Sequence, residues 1–140
     1  MKTLRSIFFL SLCLLLSIAG YAGDKASFLK KQFTARDGYQ LNYRVLYPRD
    51  YNPAQKYPVI LFLHGAGERG SDNEAQLVHG GDMFASFENQ TKYPAIIIAP
   101  QCPAEKTWSE YKGLNAGKEG KRFYPLNAPA TQSMLSLIHI

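Results

Sequence analysis

The residues best suited to chemistry form one glycine-rich loop, His64-Gly65-Ala66-Gly67-Glu68-Arg69-Gly70. The loop directly follows an apolar run that ends at Leu63, so it is predicted to leave the carboxyl end of a strand, where open parallel sheets bind their ligands. Its three glycines let the backbone turn sharply and approach a ligand closely. Such a loop can direct peptide N–H groups at a developing oxyanion about 3 Å away. We predict the N–H of Ala66 as the main donor, with Gly65 and Gly67 providing the bend.

Two further residues are predicted to bind substrate. Glu68 either contacts the substrate or pairs with a neighbouring side chain at the surface. Trp108 either lines a pocket for the acyl or aromatic group or packs beneath the loop. Cys102 is interpreted as a small buried hydrophobe, or as half of a disulfide whose partner is missing, because no histidine is spaced to activate it as a nucleophile.

The histidines offer a second chemistry, metal binding. His64 and His79 have carboxylates nearby at Glu68, Asp72 and Asp82, but a spacing of fifteen residues between the histidines fits no metal signature. We therefore predict no metal and no cofactor. His64 is instead expected to brace the loop by hydrogen bonds.

A hairpin is predicted ahead of the loop. Phe33 to Ala35 is β-prone, and Asp37-Gly38 is a strong hairpin signal. Apolar and polar residues then alternate from Tyr39 to Tyr47, which indicates a half-buried strand with one wet face.

Two apolar runs without alternation, 57–63 and 93–99, predict strands covered on both faces. About thirty residues separate them, enough for a helical crossover, so the strands are expected to be parallel. Within the crossover, 74–79 and 82–89 are each predicted as a short helix, with Asp82 as an N-cap. Met83, Phe84 and Phe87 are expected to share an inward face. A last helix is predicted to begin within 129–137.

These residues together resemble a known family. An apolar strand that ends in His-Gly-x-Gly after an antiparallel hairpin is similar to the start of the α/β-hydrolase fold. The segment Val59–Gly70, taken with Ile96–Pro103 and Trp108, resembles secreted bacterial esterases. These enzymes are described as predicted peptidases or as polyhydroxybutyrate-depolymerase-like and feruloyl-esterase-like. The resemblance covers roughly Phe33 to Leu135.

The resemblance implies acyl transfer to water by a serine on a G-x-S-x-G elbow, followed along the chain by an acid and a histidine. The serines after residue 22 are at positions 27, 71, 86, 109, 133 and 136, and none lies in G-x-S-x-G. His64 precedes the position that the family's base would occupy. The resemblance therefore implies that nucleophile, acid and base all lie beyond residue 140, so that the chain contains only the oxyanion loop.

The first 22 residues are predicted to be a secretory signal peptide. Lys2 and Arg5 precede an uncharged apolar run, Ile7–Ile18, and small residues at Gly20 and Ala22 precede the expected cleavage point. The run is shorter than the roughly 20 residues that span a membrane, so no stable membrane anchor is expected after cleavage. The protein is accordingly predicted to be exported, to the periplasm or the extracellular medium.

Composition sets the remaining bounds. Of 140 residues, 46% are hydrophobic and 19% are charged, which fits one globular domain rather than a disordered or polytopic membrane chain. Loss of Lys2 and Arg5 lowers the net charge from +5 to +3 with no basic cluster, so no nucleic-acid partner is predicted. Residues 23–134 are assigned as the N-terminal portion of an α/β-hydrolase domain. Residues 135–140 resemble a translated library-adapter sequence and are expected to be an artefact.

Two functions remain open. The first is part of an exported serine hydrolase that cleaves small-molecule or polymer carboxylic esters, or peptides. The second is a noncatalytic exported ligand-binding module with an α/β-hydrolase-like fold. In either case two buried parallel strands leave an unpaired apolar edge, so residues 23–140 alone are expected to be insoluble or molten and to hydrolyse nothing.

Overall fold

The fold is described from a computed structural model that covers residues 24–109, 112–113, 122–123 and 129–140. The predicted signal peptide lies outside these residues. The strands are β1 Leu29–Thr34, β2 Gln40–Leu46, β3 Val59–Leu61, β4 Ile96–Pro100, β5 Lys112–Gly113 and β6 Arg122–Phe123. The α-helices are α1 Gly81–Ala85, α2 Phe87–Lys92 and α3 Gln132–Leu137. Short 3₁₀ turns occupy Lys25–Ser27, Ala66–Glu68 and Ala75–Leu77. Within the described residues, no helix is long and apolar enough to cross a membrane.

Four strands form one mixed sheet in the order β1-β2-β4-β3. The predicted hairpin is confirmed: β1 and β2 pair antiparallel, and Gly38 takes a φ of +84° in the turn, a conformation that glycine adopts without strain. The predicted parallel pair is also confirmed, since β3 and β4 align with Val59 beside Ile96. β2 pairs antiparallel with β4 and joins the hairpin to the parallel pair. β5 and β6 form a separate two-stranded ladder.

The crossover between β3 and β4 is helical, as predicted, but its details differ. The second predicted helix is interrupted at Ser86, whose backbone is extended and whose Oγ accepts a hydrogen bond from Asn89 N at 3.3 Å. Serine favours such N-cap positions, so a new helix, α2, starts there. The N-cap of α1 is Gly80, and Asp82 instead pairs with Lys25 at 3.2 Å. The prediction of Asp82 as the cap was therefore wrong.

The interruption also changes which side chains face inward. Phe84 packs against the core, as predicted. Met83 and Phe87 are each 54% exposed, so the prediction that they share an inward face with Phe84 was wrong for both. Phe87 belongs to a different helix from Phe84, and its ring lies 4.8 Å from the guanidinium of Arg49.

The core lies around β4. It consists of six buried residues with three partly buried neighbours, Phe62, Phe84 and Ala85, packed against them. The six are Phe28, Leu46, Leu77, Ala95, Ile97 and Ala99. Ile97, Ala99 and Pro100 of β4 are buried, and β2 and β3 pair with the strand on its two sides.

Two burial expectations for the sheet were wrong. β3 is exposed along its length, with Val59 60% exposed, because it forms the edge of the sheet. On β2, the face expected to be wet includes Arg44, which is buried. Arg44 is accommodated there because its guanidinium donates to Phe28 O and Asn73 O, both at 2.6 Å, and pairs with Glu74.

The last predicted helix is confirmed as α3. The Oγ1 of Thr131 accepts from Met134 N at 3.2 Å and caps its first turn. The same hydroxyl donates to Trp108 O at 2.9 Å, which ties α3 to the segment after β4. α3 extends across the predicted limit of the domain at residue 134. The artefactual origin of 135–140 stays a prediction.

Candidate functional site

The glycine-rich loop lies at the carboxyl edge of the sheet. Because β3 and β4 are parallel, the segments that follow them leave the same edge and meet there. Gly70 N donates to Cys102 O at 3.0 Å, which joins the two segments directly. The loop and residues 101–109 therefore form one structure.

Two peptide donors in this loop are available to a ligand. Gly65 is extended, with φ −78° and ψ −176°, and a 3₁₀ turn follows over Ala66–Glu68. The first N–H groups of a helical turn have no acceptor within the turn. Among the described residues, neither the Ala66 nor the Gly67 N–H has an acceptor, and both residues are exposed. Two adjacent unpaired N–H groups are suited to stabilising an oxygen anion.

His64 holds the start of the loop by both of its ring nitrogens. Cys102 N donates to His64 Nε2 at 2.9 Å, so this nitrogen is the acceptor of the ring. Nδ1 then carries the hydrogen and donates to Gly65 O at 2.6 Å. The residue is buried, with 6% of its surface exposed. With both nitrogens engaged, His64 acts as a brace for the loop and not as a proton acceptor.

Trp108, in the segment after β4, and Arg69, in the loop itself, reinforce the contact between the two segments. Trp108 Nε1 donates to His64 O at 3.1 Å, and its ring meets the edge of the imidazole with centroids 5.2 Å apart. Arg69 Nε donates to Ala66 O at 2.9 Å, and its Nη1 donates to Lys106 O at 3.2 Å. Trp108 is half-buried against the loop. Its predicted contact with substrate stays a prediction.

Gln101, for which no role was predicted, is 1% exposed and lies beneath the loop. Its Oε1 accepts from Asn73 N at 2.7 Å, and its Nε2 donates to Asp72 Oδ1 at 2.8 Å and to Glu68 O at 3.2 Å. Asn73 adopts φ +56°, which asparagine tolerates better than most residues. The sequence feature that could have identified Gln101 is its position between Pro100 and Cys102, directly after a buried strand.

Asp72 shares this network. Hydrogen bonds from the N–H groups of Ala75 and Glu74 and from the amide of Gln101 hold the pKa of Asp72 below its ordinary value. These three donors favour the charged form of the carboxyl group. Asp72 therefore stabilises the start of the 3₁₀ turn Ala75–Leu77 as an anion.

The Glu68 carboxylate lies against the glycine-rich loop. A Cβ atom at Gly65 would lie 3.0 Å from Glu68 Oε2, so the carboxylate covers that glycine closely. Glu68 Oε1 lies 3.5 Å from His79 Nε2, which agrees with the predicted alternative that Glu68 pairs with a neighbour. Its contact with substrate stays a prediction. Within the described residues, no three His, Cys, Asp or Glu side chains gather as a metal site.

Cys102 is fully buried, and burial raises the pKa of its thiol. Its Sγ lies 3.8 Å from Ser133 Oγ, which in turn lies 2.9 Å from the Tyr39 hydroxyl. A protonated buried thiol is a poor nucleophile. None of the serine hydroxyls in the described residues is hydrogen-bonded to a histidine ring.

This chain is similar to a solved protein structure. The crystal structure of a thermostable esterase matches 81% of this chain with 35% sequence identity and a TM-score of 0.65. The matched part amounts to 29% of that esterase. No protein-family model and no curated protein matches the sequence. The match confirms the predicted α/β fold of the hydrolase type and shows an esterase-like hydrolase fold.

Proposed function

We propose that this chain provides the oxyanion-stabilising side of an exported carboxylic-ester hydrolase that works through an acyl-enzyme. The observation that carries the proposal is the pair of unpaired N–H groups at Ala66 and Gly67, in a braced loop at the carboxyl edge of an esterase-like fold. Such edges are where α/β sheets place their ligands.

In the proposed reaction, a serine hydroxyl beyond residue 140 attacks the ester carbonyl carbon. The carbonyl oxygen becomes negatively charged as the tetrahedral intermediate forms. The Ala66 N–H, assisted by that of Gly67, donates to this oxygen. The histidine that the resemblance implies takes the serine proton and gives it to the alcohol oxygen as the bond from that oxygen to the carbonyl carbon breaks and the alcohol leaves. Water then hydrolyses the acyl-serine bond by the same proton route, which releases the acid and restores the serine hydroxyl. Loss of one such donor lowers kcat by about 10² to 10³-fold in a comparable enzyme.

The proposed substrates are small-molecule or polymer esters, with peptides as a further class. Glu68 and Trp108 are proposed to contact the substrate because both lie against the loop that would hold its carbonyl group. The serine route needs no metal ion or organic cofactor. Export follows from the predicted signal peptide at 1–22, which gives the enzyme access to substrates outside the cytoplasm.

The test substitutes Ala66→Pro in the parent protein, by which we mean the product of the gene read past codon 140. Proline has no N–H, and it is tolerated at the first position of a helical turn. The residue before a proline must be extended, which Gly65 already is. Ala66→Pro therefore removes the donor with little other change, whereas the matched control Ala66→Ser keeps it.

We expect kcat for p-nitrophenyl acetate to fall about 10² to 10³-fold in Ala66→Pro and to stay within about twofold in Ala66→Ser, at equal Tm. Full activity in a folded Ala66→Pro protein would remove the loop from the mechanism. A parent protein without a G-x-S-x-G elbow and without hydrolysis would favour the noncatalytic binding module.

A further inference from the structure

Gln101 is the wholly buried side chain that links β4 to the oxyanion loop. It begins the segment after β4, and its backbone N donates to Asn42 O on β2 at 2.8 Å. The backbone of Gln101 is thus fixed by the central sheet. Its side chain extends from that fixed point to the loop.

The hydrogen bonds of the Gln101 amide reach the loop and the segment that follows it. Nε2 donates to Glu68 O, at the end of the 3₁₀ turn that begins with Ala66, and to Asp72 Oδ1. Oε1 accepts from Asn73 N, three residues beyond the loop. Both amide hydrogens and the amide oxygen are therefore used. Burial of an amide is unfavourable unless it is bonded in this way.

The space around Gln101 leaves the loop little freedom. A Cβ atom at Gly70 would lie 3.3 Å from Gln101 Nε2, so the loop backbone passes directly over the amide. Gly70 is also bonded to the residue that follows Gln101, since Gly70 N donates to Cys102 O. The loop and the amide therefore fit each other closely.

We propose that Gln101 is a positioning residue for the oxyanion donors, because it fixes the Ala66–Glu68 turn to the central sheet through Glu68 O. This inference rests on the proposed function. Gln101 touches no reacting atom in it: it sets where the Ala66 and Gly67 N–H groups lie. A displacement of about 1 Å at such donors can cost about 100-fold in rate.

The experiment measures kcat and KM of the parent protein with p-nitrophenyl acetate for Gln101→Met. Methionine fills the same volume but donates nothing to Glu68 O or Asp72. Gln76→Met is the matched control because Gln76 is also fully buried, and its side chain donates only to Asn73 Oδ1, at 2.6 Å, among the described residues. Both variants lose buried amide hydrogen bonds, so a general loss of stability affects both.

We expect Gln101→Met to lower kcat about 10 to 100-fold with KM within about twofold, while Gln76→Met keeps the wild-type kcat at a temperature where both are folded. An unchanged kcat in Gln101→Met, an effect on KM alone, or an equal loss in Gln76→Met would overturn the inference. The Ala66→Pro protein separates the two proposals. If it loses activity and Gln101→Met does not, only the positioning role fails.

A second variant keeps the inference testable if Gln101→Met does not fold. Gln101→Glu keeps the acceptor for Asn73 N but turns an oxygen toward Glu68 O and the Asp72 carboxylate. Protonation of the new carboxyl group at lower pH restores one donor. We expect its kcat, relative to wild type at each pH, to rise as pH falls. A ratio that does not change with pH would count against the positioning role.

Discussion

The glycine-rich loop at the carboxyl ends of the strands and the outer strand β3 are neighbours, but they differ in how far other residues hold and cover them. At the carboxyl edge, side chains of His64, Arg69, Gln101 and Trp108 bond the loop backbone. On β3, the apolar side chains of Val59, Ile60 and Leu61 are all exposed, and among the described residues the strand pairs with β4 alone. The loop backbone is thus held by side chains, apart from the unpaired N–H groups of Ala66 and Gly67, whereas β3 exposes apolar surface.

The difference shows that the hydrogen bonds that hold the loop do not depend on burial of β3, the strand that precedes it. The loop is anchored mainly to β4 and to the segment after it, through Cys102, Gln101 and Trp108. β4 is the buried centre of the sheet. Substitutions at the two regions should therefore have unequal effects.

The largest contrast is expected between two valines of the sheet. Val45→Lys places a charge at a buried position of β2 without a partner, and should lower the free energy of unfolding by about 3–5 kcal/mol. Val59→Lys, on exposed β3, should change it by less than about 0.5 kcal/mol. Chemical denaturation of the soluble fraction of each variant measures the two changes in the free energy of unfolding. Equal losses would mean that β3 is covered in solution.

The same two substitutions should also differ in their effect on solubility. Lysine on an exposed edge strand opposes pairing between chains. The soluble fraction after expression should therefore rise in Val59→Lys and fall in Val45→Lys. A Val59→Lys protein as insoluble as the wild type would show that the β3 edge is not the aggregating surface.

A smaller contrast is expected between two histidines. His64→Ala leaves Cys102 N–H and Gly65 O without their partner, and should cost about 2–3 kcal/mol of stability. His79→Ala removes a side chain that is 78% exposed and should cost less than about 0.5 kcal/mol. Thermal unfolding distinguishes them. Similar Tm values for the two variants would contradict the bracing role of His64.

The smallest expected effect is the contribution of Asp72 to acid stability. Its pKa is lowered in the folded protein, so its contribution is fully present above the unfolded value and is lost as pH falls through the folded value. Because Asp72 is exposed, solvent screens much of this effect.

The loss of stability between about pH 5 and about pH 2.5 should be shallower in Asp72→Asn than in wild type. Asp50→Asn serves as the control, because the Asp50 carboxylate makes no hydrogen bond among the described residues. Urea denaturation at each pH gives the slope. Identical slopes for Asp72→Asn and wild type would remove Asp72 from the acid response.

Much of the fold could be predicted because its signals are local. Asp37-Gly38 and the alternation after it predicted the hairpin, and two apolar runs about thirty residues apart predicted the parallel pair. The helix interruption at Ser86 was missed because serine is also tolerated within helices. The exposure of β3 was missed because an apolar run does not reveal whether a strand lies at the centre or the edge of a sheet.

The candidate site was predictable in part for the same reason. The loop and the bond from His64 to Gly65 O involve residues adjacent in sequence, whereas the bond between His64 and Cys102 N spans 38 positions. The contributions of Gln101 and Asn73 depend on contacts between residues about thirty positions apart, which the pattern does not encode. The burial of Arg44 likewise required knowledge of which carbonyl groups the sheet places around it.

The position of Trp108 has a practical consequence. It is the chain's single tryptophan, and its indole N–H is bonded to the loop at His64 O. Intrinsic fluorescence excited at the indole band therefore reports on one place, the contact between the glycine-rich loop and the segment after β4. Release of that hydrogen bond into water would shift the emission to longer wavelength, so the molecule carries its own optical probe of loop opening.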